Sequence, residues 1–322
     1  MTENKNSKVH PELQNALKKS PSIHYSKNNL WLIRLLISLL PTPKAPKDVS
    51  IKNIVIDNRD GSTKIRLRIY QPADPVSATP VLIWMHGGGY IIGKPEMEDS
   101  VCIHFVRELG ISIVSVDYRL APKFPFPAGL EDCYFALMWA KANSAQFGFD
   151  VTRIGVGGTS AGGGLAAALA QLALDRKEAS PIFQLLTYPM LDDRTVFRTD
   201  IDDSNSPAWS QKNNRFGWES YLGKNFGKEE APPHAVPARR SDLSGLPNAW
   251  VGVGTLDVFF DENKIYAQRL REAGITCELE IVQGAFHGFD VIDPNLPIVQ
   301  DFRRSQIAAL RKYLVGEAPK DG

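Results

Sequence analysis

Residues 155–164 read GVGGTSAGGG, six glycines in ten positions around a single serine, Ser160. Glycine loses more backbone freedom on ordering than any other residue, so a run this dense calls for a structural return. A phosphate-binding loop, a flexible linker and a nucleophile turn all use such runs. The P-loop pattern needs Gly-Lys-Ser/Thr after four spacer residues, and no lysine is present. The dinucleotide pattern G-x-G-x-x-G begins at Gly155 and Gly157 but meets Ser160 in its sixth position. What fits is G-x-S-x-G over Gly158-Thr159-Ser160-Ala161-Gly162. In that arrangement a sharp strand-to-helix turn lifts the serine hydroxyl above the sheet edge, and the small residues let neighbouring backbone pass. The bland alternative is a helix N-terminus that the serine merely caps.

The flanks decide in favour of the turn. RIGVGG at 152–157 reads as a buried strand and Ala161–Leu174 as a strong helix former. Further out, PVLIWM (80–85), ISIVSV (111–116), IFQLLT (182–187), AWVGVG (249–254) and ITCELEIV (275–282) read as strands. Helical periodicity lies between them: over 97–109 with Gly110 as C-cap, along Leu130, Cys133, Tyr134, Leu137 and Met138, and over 298–315. Strands alternating with helices predict an α/β fold, a mostly parallel central sheet covered on both faces. IKNIVIDN and KIRLRIY, from Ile51 on, alternate like an antiparallel opening pair. The rhythm breaks at 190–235, too long for a plain connection, which predicts a small separate layer. Ahead of Ile51 come a polar stretch (1–29), an apolar helix WLIRLLISLL (31–40) and the proline-rich connector PTPKAPKDVS (41–50). The expected division is therefore 1–50 as an N-terminal segment, 51–189 with 236–322 as the main domain, and 190–235 as an insertion.

A nucleophilic serine needs donors for the negative charge of a tetrahedral intermediate. Immediately after PVLIWM comes His86-Gly87-Gly88-Gly89-Tyr90. Consecutive glycines can turn successive N–H groups toward one point, and the N–H of Ala161 joins them from the second loop. One such donor is worth about 3–4 kcal/mol of transition-state stabilisation. His86 precedes the glycines and is expected to brace their loop by hydrogen bonding.

The base follows by elimination among six histidines. His10 and His24 fall in the polar leader, His104 within a helix and His234 in the proline-rich exit of the insertion. His287, in GAFHGF, follows a late strand in a loop between Gly284 and Gly288. Its acid partner, which fixes the tautomer and stabilises the imidazolium, is expected at Asp257, three residues past AWVGVG. Asp261 and Glu262 are rivals, but they sit where the next helix begins, and the helix dipole favours acids there without any catalytic role. The order Ser160, Asp257, His287 is that of the α/β hydrolases.

Composition removes other classes. A formal net charge of +1 in 322 residues gives no electrostatic case for nucleic acid. The doublets Lys18–Lys19 and Arg239–Arg240 are expected to be solvated surface. Three scattered cysteines, Cys102, Cys133 and Cys277, suggest neither a disulfide framework nor a zinc site. The polar start MTENKNSKVH lacks a secretory pattern, so a reducing cytoplasm is the expectation. Ten helical residues at 31–40 span about 15 Å, half a bilayer core, which excludes stable membrane insertion. Arg34 and Ser38 make a narrow polar stripe on that helix, which is expected to pack on the protein itself; the sharper reading is a surface that touches lipid or a greasy substrate.

Four stretches carry a family resemblance: HGGGY (86–90), DYRLAPKFPFPAGLED (117–132), GTSAGG (158–163), and Asp257 with FHGF (286–289). The chain resembles the hormone-sensitive-lipase-like branch of the α/β hydrolases, the bacterial family IV esterases, and GTSAGG resembles one of its two main subgroups. The resemblance implies an α/β-hydrolase fold with Ser160 as nucleophile, His287 as base, Asp257 as acid, and Gly88, Gly89 and Ala161 as oxyanion hole. It implies a cap built from the leader helix and the 190–235 insertion, and no metal or organic cofactor. Bacterial members are often dimers through an edge strand, which makes a homodimer an expectation here. The family's acid usually heads Asp-Pro-Leu, whereas here it heads Asp257-Val258-Phe259. Arg119 and the Glu131–Asp132 pair match family positions and are read as structural charges.

The expected activity is hydrolysis of short- to medium-chain carboxylic esters through an acyl-enzyme, with a small-molecule ester as partner. Trp84, Tyr90, Tyr188, Trp209 and Trp218 are candidate pocket walls. The same triad could cleave amides, lactones or carbamates. A non-catalytic receptor is a third class; plant gibberellin receptors look like this family but have lost the histidine, which is present here as His287.

Overall fold

In a computed structural model of the chain, the described residues are 8–316, apart from 21, 43, 59, 60 and 62. Residues 1–7 of the polar start lie outside them. Eight strands form one sheet: β1 (Val49–Asp57), β2 (Lys64–Pro72), β3 (Thr79–Met85), β4 (Ser112–Asp117), β5 (Phe149–Thr159), β6 (Phe183–Thr187), β7 (Asn248–Gly254) and β8 (Cys277–Val282). Their order is β1-β2-β4-β3-β5-β6-β7-β8. β1 pairs antiparallel with β2, from Val49 opposite Pro72 to Asp57 opposite Lys64, and β2 pairs antiparallel with β4. From β4 across to β8 every pairing is parallel.

The helices are α1 (Gln14–Lys19), α2 (Leu30–Ser38), α3 (Asp99–Leu109), α4 (Ala128–Ala142), α5 (Ser144–Phe147), α6 (Ala161–Arg176), α7 (Gln211–Leu222), α8 (Phe260–Glu272), α9 (Phe289–Ile292) and α10 (Pro297–Leu310). β3 shows why both faces are covered. Alternate side chains of a strand point to opposite faces. Val81, Ile83 and Met85 join one core with α4, α6 and α8, while Leu82 and Trp84 join a second with α3 and α10. Every position of this strand is buried, hence its unbroken apolar run. α6 is buried from Ala161 to Ala173, and its small Ala and Gly side chains let it lie close under the sheet. The chain thus adopts the α/β-hydrolase fold.

A helical cap covers the carboxyl edge of the strands. Its longest helix is α7, and the N-terminal segment joins it: Tyr25 donates its N–H to Asn213 Oδ1 at 3.1 Å, and Asn213 Nδ2 donates to the Ile23 carbonyl at 2.7 Å. Lys8 pairs with Asp202 at 3.4 Å.

Several expectations need correcting. The 97–109 helix begins as a 3-10 turn over Pro95–Glu98, and the 298–315 helix ends at Leu310 in a wider turn over Arg311–Val315. Arg239 and Arg240 are not free surface: they pair with Asp193 and Asp175 at 2.7 and 2.6 Å. Of its apolar side chains, α2 packs only Leu30, Ile33 and Ile37 on the protein, while Trp31, Leu32, Leu35, Leu36 and Leu39 face solvent. Among the described residues no helix is long and apolar enough to cross a membrane.

Candidate active site

Ser160 occupies the single residue between β5 and α6, at φ 54° and ψ −119°, a conformation that costs an L-residue about 1–3 kcal/mol. Backbone bonds hold it there. Its N–H donates to the Thr187 carbonyl at 2.9 Å, and its carbonyl accepts from Gly164 and Met190. The flanking glycines are needed for contact rather than for φ. A Cβ on Gly158 would run into Gly162 and the Met85 carbonyl, and one on Gly162 into the carbonyls of Met85 and His86. The helix start, the turn and the end of β3 therefore touch through bare backbone.

His287 comes from the loop between β8 and α9, with Gly284 and Gly288 on either side at positive φ. Gly284 also accepts the N–H of His10 at 3.0 Å, so the leader is pinned against this loop. His287 Nε2 lies 2.9 Å from Ser160 Oγ, and Nδ1 lies 2.8 Å from Asp257 Oδ2. With Nδ1–H donating to the carboxylate, Nε2 is the acceptor for the serine hydroxyl. All three side chains are buried. Asp257 Oδ1 accepts the Phe259 N–H at 2.9 Å, and the Phe259 ring stands edge-on to His287 at 5.1 Å. The Val258-Phe259 sequence thus sets an aromatic ring against His287, where the expected pattern is Pro-Leu. The rival acids are engaged elsewhere. Asp261 pairs with Arg198 at 2.6 Å, and Glu262 accepts from the Leu191 N–H and the Thr195 hydroxyl, its carboxyl pushed well up by burial.

Gly88 and Gly89 both adopt positive φ, 119° and 58°. Among the described residues, no protein group accepts from the N–H of Gly88, Gly89 or Ala161. Gly87 differs: its N–H donates to Glu98 Oε1 at 3.3 Å. His86 lies beneath the loop. Its Nδ1 donates to the Gly87 carbonyl at 2.7 Å, its ring stacks on Tyr118 at 4.3 Å, and burial pushes its pKa down, which keeps it neutral. The remaining histidines stay apart from Ser160; His234, for example, pairs with Asp175 at 2.6 Å.

The five aromatic candidates separate into three groups. Trp209 lies over Gly89, where any Cβ would collide with its six-membered ring, and its ring centroid is 6.5 Å from that of His287. Tyr188 stands edge-on to His287 at 4.8 Å and donates its hydroxyl to buried Asp290 at 2.7 Å. Tyr90 and Trp218 belong instead to an aromatic cluster with Tyr221 that joins the glycine loop to α7. Trp84 is core, edge-on to Phe105 at 5.8 Å. Sequence reasoning missed Glu98, Phe259 and Tyr25, whose ring lies 5.7 Å from Trp209. Local pattern offers no signal for Glu98 and Tyr25, which reach the site from distant elements, whereas Phe259 lies two residues past Asp257 and that spacing could have found it. Arg119 pairs with Asp132 at 2.8 Å and Glu131 with Arg176 at 2.5 Å.

An open groove between the 192–198 turn and α8 contains no triad residue. Its arginines are already engaged: Arg194 with Asp192, Arg198 with Asp261, Arg239 with Asp193, and Arg269 with the Ala238 carbonyl. Among the described residues no three His, Cys, Asp or Glu side chains converge as metal ligands would.

Comparison with known proteins gives consistent likenesses. A family model described as alpha/beta hydrolase fold matches residues 82–291. The chain is 32% identical to Carboxylesterase NlhH of Mycobacterium tuberculosis over 321 residues, 95% of this chain and 96% of that protein. Among solved structures it is similar to Bacterial Heroin Esterase, with a TM-score of 0.88 and 34% identity, covering 96% of this chain and 99% of that one. It is similar as well to esterase LipW from Mycobacterium marinum, with a TM-score of 0.85 and 33% identity over 95% and 96% of the two chains.

Proposed function

The chain belongs to the alpha/beta hydrolase fold family, and on that premise we propose that it is a serine carboxylesterase acting on short- to medium-chain esters. One observation carries this reading: His287 bridges Ser160 Oγ and Asp257 Oδ2 at 2.9 and 2.8 Å. Ser160 is the nucleophile. His287 Nε2 takes the hydroxyl proton as Oγ attacks the ester carbonyl, and Asp257 stabilises the imidazolium. The tetrahedral oxyanion is held by the N–H groups of Gly88, Gly89 and Ala161. His287 then returns the proton to the departing alkoxide, leaving an alcohol and an acyl-Ser160 ester. Water repeats the sequence, with His287 as its base, and releases the carboxylic acid and free Ser160.

Tyr188 and Phe259 are the aromatic walls nearest His287, with Trp209 beyond them, and the closeness of Trp209 to Gly89 favours small acyl groups. His86 and Gly87 support the oxyanion loop. HGGGY at 86–90 and GTSAGG at 158–163 support a finer placement in the hormone-sensitive-lipase-like family IV. Residues 51–189 and 236–322 form the catalytic domain in this reading, with 1–50 and 190–235 as cap. Three free, buried cysteines suit a reducing cytoplasm.

The test is initial rates on p-nitrophenyl acetate, butyrate, octanoate and palmitate for the wild type and Ser160→Ala. The expected result is turnover of the shorter esters by the wild type and loss of nearly all of it in the folded variant. Equal inertness of both folded proteins overturns the ester reading.

A further inference from the structure

α2 is an amphipathic helix set the wrong way round for a free surface. Its charged residue points inward: Arg34 Nε donates to the Ile91 carbonyl at 2.8 Å and Nη2 to the Ala121 carbonyl at 2.5 Å. Its large apolar residues point outward, with Trp31 66%, Leu36 57% and Leu39 71% exposed, beside exposed Leu32 and Leu35. At 100° per residue these five positions fall on one continuous face, opposite Leu30, Ile33 and Ile37. Contiguous apolar surface of this kind marks an interaction site. The face is also held firmly, because Lys94 Nζ donates to the carbonyls of Ser38 and Leu40 at 3.2 and 3.3 Å.

Charge identifies what covers it. Residues 13–47 contain six Lys and Arg and no Asp or Glu, while the rest of the chain is net negative. Lys27 precedes the helix, Lys44 and Lys47 follow it, and all three are exposed. A second copy docked face to face through a two-fold axis would set these lysines against their own kind. An anionic surface would complement them.

We propose that the outward face of α2 docks flat on an anionic lipid surface, with Trp31, Leu35, Leu36 and Leu39 in the headgroup region and the flanking lysines on lipid phosphates. Nine residues are too short to span a bilayer, but a helix lying in the interface needs only its apolar face to enter. Because Arg34 holds α2 to Ile91, two residues beyond Gly89, docking brings the glycine loop within about one helix diameter, ~10 Å, of the lipid. This goes beyond the catalytic reading and does not depend on it.

The test is flotation of the full chain with vesicles of phosphatidylcholine alone and with about 30 mol% phosphatidylglycerol, at low and high salt, alongside sedimentation velocity. The wild type is expected to float with the anionic vesicles and to detach in high salt. Leu35→Ser/Leu36→Ser should lose at least about tenfold in partitioning, and Lys44→Gln about fivefold. Both variants should keep the wild-type circular dichroism and p-nitrophenyl acetate turnover. Failure of the wild type to bind anionic vesicles overturns the proposal, as does equal binding by Leu35→Ser/Leu36→Ser. A wild-type dimer that fails to float, and that Leu35→Ser/Leu36→Ser turns into a monomer, overturns it in favour of a second copy of the chain.

Discussion

Thr159, the residue immediately before Ser160, donates its hydroxyl to Glu98 Oε1 at 2.8 Å. The same oxygen accepts the N–H of Gly87 at 3.3 Å, so one carboxylate ties the glycine loop to the serine turn. Burial pushes the Glu98 carboxyl up to about 7. Asp290 raises it further, while the two hydrogen bonds oppose the rise; Tyr118, Tyr188 and Cys102 are the other titratable groups around it.

A carboxyl raised above its ordinary value of 4.5 stabilises the fold fully at pH below that value, and this contribution is lost as pH climbs to about 7. Glu98→Gln cannot ionise and removes that slope. The melting temperature of the variant minus that of the wild type should therefore rise between about pH 5 and pH 8. A flat difference would mean that Glu98 titrates normally.

Asp257→Asn should lower kcat on p-nitrophenyl butyrate by about three to four orders of magnitude with the fold intact, because the amide no longer holds the required tautomer of His287. Asp261→Asn, which breaks only a surface ion pair with Arg198, should stay within about twofold of the wild type. A reversed pattern in steady-state kinetics would move the acid to Asp261.

Trp209 is buried, yet its indole Nε1 has no hydrogen-bond partner among the described residues, so packing alone holds it over Gly89. Trp209→Leu should open space beside the glycine loop at Gly89. The ratio of kcat/KM for octanoate to that for acetate is expected to rise about tenfold. An unchanged ratio would place the acyl chain elsewhere.

Gly162→Ala forces a methyl group onto the backbone carbonyls of Met85 and His86. Chemical denaturation should show a loss of about 1–3 kcal/mol, together with a fall in kcat as the serine turn shifts. Gly110→Ala, at positive φ but with no atom within 4 Å of the new carbon, should lose about 1 kcal/mol and keep full activity.

The α/β architecture and the serine turn were legible because their causes are local. The unbroken apolar run of β3, the Gly110 cap and the small residues around Ser160 each answer to neighbours a few positions away. Elimination among the histidines reached His287 for a related reason, since the strand-then-loop rhythm puts that residue at the sheet edge with Ser160. Other features depended on distant parts of the chain meeting. Asp257 and Asp261 lie four residues apart, and what separates them is which one reaches a nitrogen thirty residues further on and which reaches Arg198. Trp84 and Trp209 have the same side chain, but one stands on a strand face covered by α3 and the other sits in a cap that closes over the glycine loop. Glu98 gains its role because α3 and its leading turn carry it beneath a loop and a strand end 11 and 61 positions away. The strands, the helices and the serine turn could be read along the chain, because backbone sterics and hydrophobic period act over a few residues. Only the folded chain could show which tryptophan and which face of α2 meets which neighbour, and that Asp257, the acid already favoured, is the one reaching His287, because those contacts form between elements whose separation along the chain carries no information about their distance in space.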